Sequence, residues 1–191
     1  MSGPVRALLS WGIEPRRAGR LAAWRADERG VSAIEFALVG MPFLMLLFGI
    51  MAVGLYFLTT FGMENAVEGA ARLIRTGQAQ QSGMTAEQFK EEVCQRAPPY
   101  VDCDLKLRVN VQSFTGFGSV VAPSCVDTGG ELVPPASTTF NMGLESTVVL
   151  VTVCYEWELP GKIPFLNLSN MANGSALIQA STTFRTEPYN K

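Results

Sequence analysis

Residues 36–61 carry no charge, no Asn and no Gln, a run of 26 residues that constrains the chain more than any other feature. As a helix it spans about 39 Å, against roughly 30 Å of bilayer hydrocarbon. The core helix of a soluble protein interrupts its apolar face with polar residues every three or four positions, and this run does not. It reads as a single membrane span. With 191 residues and 48% hydrophobic content, the chain has room for one such span and one modest domain.

The flanks give the span a direction. Ahead of Gly30 stand Arg6, Arg16, Arg17, Arg20, Arg25 and Arg29 against Glu14, Asp27 and Glu28, an excess of basic charge that holds this end in the cytoplasm. Over residues 78–191 the balance reverses, with seven Lys or Arg and eleven Asp or Glu, as expected of a translocated part. Arginines beside an apolar run are a topology signal, so no nucleic-acid partner is expected. All four cysteines, Cys94, Cys103, Cys125 and Cys154, lie beyond the span. An even number confined to the exported part suggests two disulfides in an oxidising compartment. Three pairings are open; the short separation of Cys94 and Cys103 across "APP" favours joining them, which leaves Cys125 with Cys154.

Chemistry is restricted by the absence of histidine. No Ser-His-Asp or Cys-His arrangement can be built, and there is neither a His-containing zinc site nor a Cys-x-x-Cys pair. Asp102 with Asp104 and Glu156 with Glu158 stand at i, i+2 in segments of strand character, which puts each pair on one face, more in keeping with a solvated strand than with catalysis. "GFGS" at 116–119 lacks the lysine of a phosphate loop. No enzyme, metal, cofactor or small-molecule substrate is expected. Asn167 and Asn173 fall in N-x-S sequons, read as chance.

The order of features at the start of the span is informative. A secretory signal places its cleavage site after the apolar region. Here "RGVSAIEF", residues 29–36, puts a glycine between the basic leader and the apolar run, with Glu35 five residues on and Phe36 beside it. This pattern resembles the processing site of type IV prepilins. The resemblance implies cleavage after Gly30 by a prepilin peptidase, a mature chain opening at Val31, and a Glu35 that meets the free α-amine of a neighbouring subunit. The wider stretch 29–78 looks like the TadE-like family of pseudopilins from tight-adherence pilus systems. It has the acidic-phenylalanine pair, Pro42 about a turn and a half into the span, an aromatic near its outer end, and a small-residue amphipathic segment ending in "AAR". "FRTEPYN", residues 184–190, resembles the ending common in that family.

Beyond the span, Met63, Ala66, Val67, Ala70, Leu73 and Ile74 recur at helical spacing with Glu68 and Arg72 opposite, and Gly77 is a natural stop. Pro42 removes a backbone bond and is expected to kink the helix, while Gly40, Gly49 and Gly54 either admit a second helix or are simply tolerated in a span. "TAEQFKEEVCQRA" opens with a capping box, Thr85 with Gln88. Leu105, Leu107, Val109 and Val111 alternate as a strand, residues 116–143 read as loop, "STVVLVTVCYEW" as a central strand and "SALIQASTTFRT" as a third.

The expected architecture is α+β: a leader over 1–30, a transmembrane helix over 31–62, its extension over 63–78, and a pilin-like exported domain over 79–191 with an antiparallel sheet of about three strands. The expected role is that of a minor pseudopilin of the bacterial inner membrane, N-terminus cytoplasmic and C-terminal domain periplasmic. Its partners would be the membrane, the prepilin peptidase and other pilins. The competing reading is an uncleaved, membrane-anchored periplasmic binding or scaffold protein.

Overall fold

The computed structural model describes residues 30–159 and 168–189 and divides into two compact units, Met1–Leu46 and Leu47–Lys191. The arginine leader and Asn167 lie outside the described residues. Helix α1, Val31–Arg75, runs unbroken past Pro42. In the first unit its side chains are exposed, and the ring of Phe36 lies 3.5 Å from where a Cβ on Gly40 would stand.

The second unit holds the rest of α1 and everything that follows. α1 ends where Gly77 takes φ +78°, a left-handed conformation that costs glycine nothing. Its N–H still donates to the Ile74 carbonyl at 3.1 Å. A short helix α2, Gln78–Ser82, leads to α3, Ala86–Arg96. Thr85 and Gln88 form the capping box that the sequence predicts: the Thr85 hydroxyl accepts from the Gln88 N–H, and the Gln88 carbonyl oxygen accepts from the Thr85 N–H. A single turn, α4, Cys103–Lys106, precedes strand β1, Leu107–Phe114. Strands β2, Val148–Trp157, and β3, Ala176–Arg185, complete an antiparallel sheet of order β1-β2-β3 with β2 central.

The register explains the composition of β2. Val149, Val151, Val153, Tyr155 and Trp157 share one face and join a core with Met63, Ala66, Val67, Ala70 and Ile74 of α1 and Phe89 and Val93 of α3. Val148, Leu150, Thr152 and Cys154 point to the other face and are buried too. The loop between β1 and β2 is bonded to that face through Cys125–Cys154, with Cα atoms 5.6 Å apart. A strand covered on both sides has no reason to alternate, which is why "VVLVTV" is apolar at every position but Thr152. The same loop closes the outer edge of β1: the Val111 N–H donates to the Thr139 carbonyl, the Asn141 N–H to that of Val111, and the Asn110 side chain accepts from the Thr139 N–H.

Two expectations change. Leu105 is 73% exposed and sits in α4, not in the strand. Asp102 is the N-cap of that turn, its carboxylate accepting from the Leu105 N–H, so Asp102 and Asp104 do not share a strand face. The local hydrogen bond of an Asp cap outweighs the weak strand preference of so short a segment.

Candidate assembly and processing segment

The residues singled out for processing and assembly lie on the first part of α1. Gly30 immediately precedes the helix, and a Cβ built there meets nothing within 4 Å. Val31 opens the helix and is 45% exposed. Glu35 follows one turn later on the same side; it is exposed and has no hydrogen-bond or ion-pair partner among the described residues. Phe36 is 78% exposed, and Pro42 stands in the helix interior.

The environment of these residues decides what the helix is for. Large apolar side chains are exposed along α1 from Val31 to Phe61, and only 6% of its most apolar 18-residue window is buried. A core helix of similar composition would be mostly covered. An apolar cylinder of this length left bare needs lipid or other helices around it.

Burial begins within the apolar run itself. Ala52 and Thr59 are buried in the second unit, Tyr56 packs its ring 5.6 Å from that of Trp157, and the Thr59 and Tyr100 hydroxyls stand 3.3 Å apart. Further out, α3 runs back beside α1, with the Pro98 ring over Gly62 and the Arg96 side chain over Gly69. Glycines seven residues apart mark this contact row, a signal that sequence reading missed. It also missed what the C-terminal residues do. The Glu187 N–H donates to the Arg75 carbonyl at 2.8 Å, the Thr186 N–H to that of Thr147 at 2.9 Å, and the Tyr189 ring lies against Gly77. Residues 186–189 of the "FRTEPYN" stretch thus close the C-terminus of α1.

The other groups considered for chemistry have structural partners. Glu156 accepts from the Asn173 amide at 2.6 Å and from the Ser175 hydroxyl at 3.0 Å, which also accounts for the sequon at Asn173. Glu158 pairs with Lys106 at 2.7 Å, and that contact, chiefly its hydrogen bond, raises the Lys106 pKa above the ordinary lysine value. Burial raises that of Tyr155. The residues of "GFGS" from Phe117 to Ser119 form one exposed 3-10 turn. Cys94 is bonded to Cys103, and Cys125 to Cys154, leaving no free cysteine. No group of three or more His, Cys, Asp or Glu side chains placed to hold a metal occurs among the described residues.

Residues 30–72 match the family model described as TadE-like protein. The TadE-like segment opens at Gly30, ends at Arg72 and takes in Glu35, Phe36 and Pro42, less than a quarter of the chain. It associates the protein with tight-adherence pilus systems and, with the exposed apolar helix, with a membrane anchor. No curated protein and no solved structure matches the chain.

Proposed function

We propose that this protein is a minor pseudopilin of a tight-adherence pilus system. It is cut after Gly30 by a prepilin peptidase, held in the bacterial inner membrane by α1, and assembled with other pilins through that helix while its disulfide-bonded domain lies in the periplasm. The observation that carries this reading is the TadE-like match, which opens at Gly30 immediately before an apolar helix whose side chains are bare. Two further features support it: a Glu35 near the helix start with no partner among the described residues, and two disulfides beyond the span, which require an oxidising compartment.

Glu35 has a physical role in this scheme. A carboxylate within the bilayer costs up to about 2.5–3.5 kcal/mol on insertion scales, less near the interface. Cleavage after Gly30 exposes a cationic α-amine on Val31. The Glu35 carboxylate of one subunit and that amine of its neighbour neutralise one another, so the cost carried by an isolated subunit is relieved on assembly.

N-terminal sequencing of the membrane-embedded protein, expressed with and without a prepilin peptidase, tests the reading. The expected product with the peptidase begins at Val31, and Gly30→Leu blocks its formation. A chain that keeps Arg29 in the presence of an active peptidase defeats the pseudopilin assignment and leaves the uncleaved anchor. In cleaved protein, Glu35→Gln is expected to insert normally and to lose recovery of partner pilins.

A further inference from the structure

The helical layer of the second unit carries opposite charges at its two flanks. On one side, α1 and β3 border an open cleft of 320 Å³ whose lining includes Asn65, Glu68, Arg72, Arg75, Thr182 and Phe184. Both arginines are exposed and make no ion pair among the described residues, so with Glu68 the cleft has a net charge of one positive unit. On the other side, α3 lies beside β1, and Glu87 and Glu91 border a second open surface together with Ser82 and Met84. Glu92, on the same surface, is already paired with Arg96, and Lys90 is turned to the Asp104 carbonyl at 3.1 Å. That leaves Glu87 and Glu91, one helical turn apart, as the acidic pair. Since β1 and β3 are the two edges of the sheet, the basic cleft and the acidic pair lie on opposite flanks.

Glu91 also stands at the height of the arginines. The chain runs back along α1 from Arg96 over Gly69 to Pro98 over Gly62. Glu91 comes five residues before Arg96, about 7.5 Å further along α1 at 1.5 Å per residue. That is level with Ile74, between Arg72 and Arg75, while Glu87, one turn further on, stands about 6 Å beyond it on the side of Arg75. A second copy of this unit displaced sideways without rotation therefore brings its acidic pair to the arginines of the first.

We propose that a second copy of this chain docks head to tail in the α1–β3 cleft, placing its Glu87 and Glu91 against Arg72 and Arg75. The contact is heterologous, because the two surfaces differ and each copy keeps one of each free. It extends a row of copies where a two-fold contact would stop at a dimer. Each exposed guanidinium can pair with a carboxylate through two parallel N–H···O bonds, and Glu68 reduces the attraction without cancelling it. The inference rests on the membrane-anchor part of the proposed function.

The test uses full-length chains bearing two different tags, co-expressed in membranes. Thr182→Cys in one and Ser82→Cys in the other place single thiols beside the cleft and beside the acidic pair while leaving every charge intact; the native cysteines are all in disulfides. A short bismaleimide is expected to yield a product carrying both tags, and Thr182→Cys chains alone none. Reversing the cleft with Arg72→Glu and Arg75→Glu should lower the yield at least tenfold. Adding Glu87→Arg and Glu91→Arg to the other copy should restore it, which shows that the reversed chains still fold. Chains that stay in carbonate-washed membranes yet give no two-tag product overturn the docking alone. A two-tag yield indifferent to charge reversal, or self-linking of Thr182→Cys chains, overturns it as well. Chains recovered in the soluble fraction overturn both the anchor reading and the docking that depends on it.

Discussion

Replacing Gly77 by Ala measures how firmly the C-terminal tail holds the end of α1. Gly77 has φ +78°, and a left-handed residue with a Cβ costs about 1–2 kcal/mol. The new methyl would also occupy the space of the Tyr189 ring, which must swing away or be compressed, a penalty of about 1–3 kcal/mol for an overpacked site. The sum is about 2–5 kcal/mol. Gly83 supplies the control: its φ is +66°, and a Cβ there meets nothing within 4 Å, so Gly83→Ala carries only the first cost, about 1–2 kcal/mol. Thermal unfolding of the full chain in detergent reads the difference at about 4 °C per kcal/mol for a folded part of this size. Gly77→Ala is expected to melt below Gly83→Ala by about 4–12 °C. In a Tyr189→Ala background the two glycine replacements should cost the same. Equal melting temperatures in the wild-type background would refute the role assigned to the tail.

The two disulfides should differ in weight. With sequence separations of 9 and 29, the loop-entropy relation gives about 2.6 kcal/mol for Cys94–Cys103 and about 3.6 kcal/mol for Cys125–Cys154, so Cys125→Ser with Cys154→Ser is expected to lower the denaturant midpoint more than Cys94→Ser with Cys103→Ser. Thr85→Ala removes the cap of α3 and should cost about 1 kcal/mol in the same assay. Stability should begin to fall from about pH 10 upward. Lys106 and Tyr155 both have folded pKa values above their ordinary ones, so the folded state keeps protons that the unfolded chain releases, and their contribution to stability is complete below that range and declines through it. Circular dichroism against pH checks the sign, and Glu158→Gln should weaken the lysine contribution.

How much of this was legible in the sequence depended on whether the signal was local. The long apolar helix, its extension with the stop at Gly77, the Thr85 capping box and the central position of β2 could all be read from periodicity, cap chemistry and an unbroken apolar run, because each is decided within about a dozen neighbouring residues. The TadE-like segment was legible for the same reason: Gly30, Glu35, Phe36 and Pro42 lie within thirteen residues of one another. The misreading at Leu105 came from a contest between two local rules, alternation and an Asp cap, which the cap won. What stayed hidden requires residues distant in the chain. Nothing in the order of residues pairs Gly77 with Tyr189, Gly62 with Pro98, or Arg75 with Glu187; only the closure of β3 against β2 brings the tail back to the end of α1. The opposed flanks were hidden likewise, since Arg72 and Glu91 are ordinary surface charges until the sheet order places α1 at one edge and α3 at the other. A loop-covered sheet face also turned Thr152 into a buried residue whose hydroxyl has no partner among the described residues, a cost that the apolar neighbours on either side of it in β2 must offset. The domain therefore owes its shape to contacts that close over long chain separations, and its long apolar helix to a pattern that needs none.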